Sequence, residues 1–89
     1  MTIQYIASQL HNLSVGGYFN GEKRSKQWLE TYISDAFRSQ LKLGNRLVME
    51  IALPDGQWLF TVDRHADGFD YWIPDNRDQE ARLYKRLAS

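Results

Sequence analysis

The stretch Asp63-Arg64-His65-Ala66-Asp67-Gly68-Phe69-Asp70 gathers three carboxylates and one of the two histidines of an 89-residue chain. An imidazole beside a carboxylate can be oriented as a general base, and a histidine with two aspartates can hold a divalent cation. Both chemistries need more than this segment offers. A metal site wants further converging ligands, and His11 lies far away in sequence. Catalysis needs a nucleophile or an oxyanion-binding loop, and with no cysteine in the chain there is no thiolate for either attack or zinc ligation. Val15-Gly16-Gly17 and Asn20-Gly21 lack the spacing and the lysine of a nucleotide-binding loop, and no nucleophile elbow or HExxH helix occurs. The residues therefore read as a protein that is not an enzyme and carries no cofactor or metal, with a His/Asp catalytic or metal-dependent site at 63–70 as a minor alternative.

The elements that would position these groups follow from periodicity. Ile3, Ile6, Leu10 and Leu13 recur at helical spacing, Thr2 can cap that helix and Gly16-Gly17 ends it. Tyr18-Phe19-Asn20-Gly21 reads as a connection. A second helix carries Trp28/Leu29, Tyr32/Ile33, Ala36/Phe37 and Leu41 on one side, with Gly44 as its stop. From Asn45 the period changes to two: Leu47, Met49, Ile51 and Leu53 share one strand face, and Trp58, Phe60 and Val62 one face of the next. A four-residue loop, Pro54 to Gln57, pairs 53 with 58 and unites those faces. Asp67-Gly68 then suits the centre of a type I′ hairpin turn, pairing 66 with 69, 64 with 71 and 62 with 73. That register sets His65 across from Asp70 and Asp63 across from Trp72, and it places Phe69, Tyr71 and Ile73 with the core set. Pro74 ends the strand, Asp75 or Asn76 caps a last helix, and Ala81, Tyr84 and Leu87, with Leu83 beside them, form its apolar stripe.

The expected architecture is one α+β domain over 1–89, two N-terminal helices, a three-stranded antiparallel meander and a C-terminal helix (α-α-β-β-β-α), with the helices on one sheet face or, equally, with the first or last helix folded over the other and Leu59 and Trp72 in the core. The open face would carry Val48, Glu50, Ala52, Leu59, Thr61, Asp63, His65, Asp70 and Trp72. Leu59 and Trp72 are larger than a solvated sheet surface requires, and tryptophan is enriched where partners anchor. Leu59, Trp72, Asp63, His65, Asp70 and Glu50 are the candidate binding residues for a protein partner or a second copy in a homodimer.

Charge suggests the alternative. The chain is neutral overall, yet residues 1–46 hold six Lys/Arg against three acids and residues 47–89 five against eight. Lys23, Arg24, Lys26, Arg38, Lys42 and Arg46, interleaved with Tyr18 and Phe19, could contact nucleic acid. From the second helix onward the element order resembles that of double-stranded RNA-binding domains, which implies lysines at the start of the last helix. Here that helix opens DNRDQEAR, so the resemblance is one of element order alone. The N-terminus has no basic leader with an apolar run, no membrane-length apolar stretch occurs, and the cysteine-free composition fits a reducing, cytoplasmic setting. Small motif-poor chains of this kind suit accessory or regulatory proteins, including those of phages and plasmids.

Overall fold

The computed structural model describes residues 1–39 and 46–88. Helix α1 spans Ile3–Leu13, followed by β1 (Tyr18–Phe19), β2 (Glu22–Lys23), α2 (Lys26–Ser39), β3 (Arg46–Leu53), β4 (Gly56–His65), β5 (Gly68–Trp72) and α3 (Arg77–Ala88). The strands form one antiparallel sheet in the order β2-β1-β3-β4-β5, so the expected meander is its larger part and a short hairpin extends it to five strands. That hairpin is the Tyr18–Lys23 segment. Asn20 and Gly21 both take positive φ, 52° and 79°, as a type I′ turn requires, and Phe19 pairs with Ile51 to join β1 to β3.

The caps are local. Thr2 Oγ1 accepts from Tyr5 N at the start of α1, Ser25 Oγ from Trp28 N at the start of α2, and Asn76 Oδ1 from Gln79 N at the start of α3. Ile6, Ala7 and Leu10 of α1 and Leu29, Ile33 and Phe37 of α2 close over Phe19, Leu47, Met49, Ile51, Trp58, Phe60 and Val62. Apart from Ala7 and Phe19, these are residues that the helical and two-residue periods select; Leu13 and Tyr32, selected by the same spacing, are exposed. Phe69 reaches Phe37 at a ring separation of 5.4 Å, and Tyr71 and Ile73 pack on the same core. Leu41, Gly44 and Asn45 lie outside the described residues.

The β3–β4 and β4–β5 hairpins differ from the expected register by two residues. Leu53 pairs with Gly56 across a two-residue turn, so Ile51 opposes Trp58 and not Phe60. His65 likewise pairs with Gly68 across Ala66-Asp67. Neither Ala66 nor Asp67 has positive φ, which rules out a type I′ turn at this corner. In both hairpins a glycine stands directly after the turn, Gly56 at φ 131° and Gly68 at φ 142°, backbone that other residues rarely adopt. Because the slip is an even number of residues, every side chain keeps its face while its partner across the sheet changes.

The position of α3 decides between the two alternatives for the outer face. It lies on the sheet face opposite α1 and α2, and beneath it Leu59 is 7% exposed, Thr61 1% and Leu83 2%. The expected open face is thus covered along β4. β5 pairs with β4 only up to Thr61↔Trp72, leaving the next stretch of β4 without a strand neighbour on that side. Side chains of α3 supply what the strand does not: Glu80 Oε2 accepts the Leu59 N–H at 2.9 Å, and Arg77 Nη1 donates to the Gln57 carbonyl at 2.8 Å. Arg77 also stacks its guanidinium 4.0 Å from the Trp58 ring centre and bonds Glu80 Oε1. The stripe expected of α3 is consequently rotated. Ala81 and Tyr84 face solvent, and Leu83, with Gln79 and Glu80 half-buried, turns toward the sheet.

Candidate functional site

The hairpin chemistry of 63–70 is distributed differently from the sequence expectation. Asp63 opposes Asp70 and not Trp72; His65, exposed, opposes Gly68, which leaves Asp70 diagonal to it. Asp63 is also engaged from the other side. Arg46, its partner on β3, grips it with both ends of the guanidinium, Nε to Oδ1 at 2.7 Å and Nη2 to Oδ2 at 3.0 Å. The hydrogen bond to Asp63 holds the Arg46 guanidinium above its ordinary pKa, partial burial opposes this, and the charge of Asp63 adds to it. A raised arginine pKa keeps the Arg46 guanidinium charged throughout the neutral range, so Arg46 contributes no titration there. The arrangement is a structural clamp between two strands. Among the described residues no group of three or more His, Asp or Glu side chains is placed to hold a metal ion.

The basic set is also partly neutralised. Arg24 pairs with Glu22, Arg38 with Asp35 and Arg46 with Asp63, while Lys42 lies outside the described residues. Arg24 further stacks 4.4 Å from the centre of the Trp28 ring, which itself stacks on Tyr32 at 4.7 Å. Part of the stacking surface of Trp28 is thus used by the chain itself.

Of the expected face residues, Leu59 is beneath α3 and Glu50 is exposed on β3, its N–H bonded to Asn20 Oδ1. Trp72 remains 42% exposed, beside α3. Between them opens a groove of about 300 Å³ lined by Trp72, Gln79, Arg82, Leu83 and Arg86. Gln79, Arg82, Leu83 and Arg86 stand at i, i+3, i+4 and i+7, one side of a helix. Only Trp72 of this group is legible as a site residue from its type. The spacing of the other four is present in the sequence, but a search for apolar periodicity passes over a stripe that is three parts polar.

The polar chemistry of the groove has one sign. Gln79 Oε1 already accepts from Asp75 N at 3.0 Å, which leaves the amide Nε2 as its remaining polar group. Arg82 and Arg86 contribute guanidinium donors, and the lining includes no carboxylate. Comparison with protein-family models, curated proteins and solved structures finds no match to the chain. Among the described residues no helix is long and apolar enough to cross a membrane.

Proposed function

We propose that this protein is a non-enzymatic accessory or regulatory module that binds another protein through the Trp72 side of its outer sheet face. The observation that carries this reading is the half-exposed Trp72 indole beside an open groove whose floor is Leu83. Aromatic anchors next to desolvated pockets dominate protein-binding energetics, and a cleft of this size admits a side chain. Leu59 contributes from below as support for α3. Asp63 belongs to the clamp with Arg46, and His65, Asp70 and Glu50 form the polar margin of the face. Acid-base chemistry at 63–70 has weaker support, because Asp63 is committed to that clamp and Asp70, diagonal to His65, is not directly across from the imidazole.

Site-specific photo-crosslinking tests the reading. A benzoylphenylalanine in place of Gln79 is expected to yield a discrete protein adduct that disappears when Trp72→Ala is added. The same probe in place of Tyr5, exposed on α1, is expected to yield none. Adducts from the Tyr5 position alone, or adducts indifferent to Trp72→Ala, would overturn it. Sedimentation across a concentration series identifies whether the partner is a second copy. Nucleic acid binding that Lys23→Glu and Lys26→Glu abolish would move the working surface to the start of α2.

A further inference from the structure

The groove between Trp72 and α3 combines two chemistries that a partner must match together. Its apolar part, Trp72 and Leu83, is continuous with the small second core under α3, where Leu59 and Thr61 are buried. Its polar part consists of donors, with Arg82 and Arg86 one turn apart on the same side of α3. Among the described residues no carboxylate lies within ion-pair distance of Arg82. A carboxylate entering between Trp72 and α3 would give Arg82 an ion-pair partner.

The positive charge is local. Asp70 precedes Trp72 by two residues on the same sheet face, and Asp75, Asp78 and Glu80 occupy the turn and first helical turn at the other end of the groove. A nucleic acid strand carries a phosphate at every nucleotide and would run its backbone onto these acids. A peptide presents charge only where its sequence puts it. We propose that the groove takes a short acidic segment of a protein partner, an apolar side chain seated between Trp72 and Leu83 and the neighbouring carboxylate bonded to Arg82. An arginine fork suits a planar carboxylate, and Gln79 Nε2 adds a third donor direction. This rests on the protein-binding reading above and gives it a partner chemistry.

The test is a titration of the isotope-labelled full chain, followed by NMR at the Trp72 indole N–H and at the Arg82 and Leu83 amides. The probe is the peptide acetyl-Asp-Leu-Glu-Leu-Asp-amide. Its counterparts are the Asn/Gln version, the version with both leucines replaced by glycine, and decathymidylate. The acidic peptide is expected to shift the three reporters. Both altered peptides are expected to bind at least tenfold more weakly, and Arg82→Glu to weaken the acidic peptide at least tenfold while leaving the rest of the spectrum in place. Arg82→Lys, which keeps the charge and loses the fork, is expected to fall between. Equal binding of the Asn/Gln peptide overturns the proposal, as does decathymidylate acting on the same reporters, or no shift with any probe. A Trp72-dependent crosslink that persists when these peptides fail removes only the acidic segment. Loss of both removes the protein-binding reading as well.

Discussion

At the scale of single residues, the two glycines at positive φ that stand in unlike surroundings separate conformational strain from steric conflict. Gly21, at φ 79° in the β1–β2 turn, has nothing within 4 Å of where a Cβ would sit. Gly68, at φ 142°, would bring a Cβ to 2.6 Å from the Met1 carbonyl oxygen. That oxygen accepts the Phe69 N–H at 2.9 Å, so the clash falls on a backbone bond that ties the N-terminal segment to β5. Gly21→Ala is expected to cost about 1 kcal/mol, the strain of a left-handed alanine alone. Gly68→Ala is expected to cost about 2–3 kcal/mol, because φ strain, displacement of Met1 and loss of the bond combine. For a domain of this size each kcal/mol lowers the melting midpoint by roughly 4–8 °C, so thermal denaturation resolves the two. Equal midpoints would show that the Met1 contact yields without cost.

At the scale of elements, α3 is attached by polar groups as much as by apolar ones, and Glu80 is the centre of that attachment. One of its oxygens takes the Leu59 N–H and the other takes Arg77, which in turn holds the Gln57 carbonyl. Removing the carboxylate strands a part-buried N–H on β4 and releases Arg77. Glu80→Ala is therefore expected to destabilise by about 1–3 kcal/mol. Amide exchange distinguishes local from global loss: the Leu59 amide should lose protection while Met49 and Phe60, deep in the opposite core, keep theirs. Glu80→Gln, which retains one acceptor, should recover part of the protection. If Leu59 exchanges unchanged in Glu80→Ala, the helix is held by Leu83 and its apolar neighbours.

This attachment also explains what the sequence could and could not disclose. Faces were legible, since Leu47, Met49, Ile51, Trp58, Phe60 and Val62 obey a period of two that a slip of two preserves. Register was not, because it depends on whether Gly56 and Gly68 sit within the turn or after it, and their freedom permits both. The β1–β2 pair is too short for periodicity, yet Asn20-Gly21 carried the turn signal that identifies it. Which sheet face α3 takes stayed open for a different reason. It is held there by Glu80 and Arg77, polar residues that bond the β4 backbone exposed where β5 stops, and no hydrophobic pattern registers such a role. The groove beside Trp72 inherits that concealment.

At the scale of the whole molecule, both edges of the five-stranded sheet are closed against further strands. On one side β2 is two residues long, and both, Glu22 and Lys23, are charged. On the other, β5 presents Phe69 N–H and Tyr71 N–H outward, and the chain consumes both: the first goes to Met1 O and the second to Asp70 Oδ1 at 2.8 Å. Pro74, shortly beyond, has no N–H to offer. Short, charged and self-satisfied edges suppress strand addition between molecules. Asp70→Val tests this directly. It removes the acceptor from Tyr71 N–H and sets a β-branched side chain on an exposed edge strand, two changes that favour pairing with another copy. Sedimentation velocity is expected to show concentration-dependent association of Asp70→Val beyond that of wild type and Asp70→Asn, because asparagine keeps an oxygen at the same place. If Asp70→Val sediments as wild type does, the Met1 bond and Pro74 alone suffice to close the edge, and the carboxylate of Asp70 is free to serve the binding face.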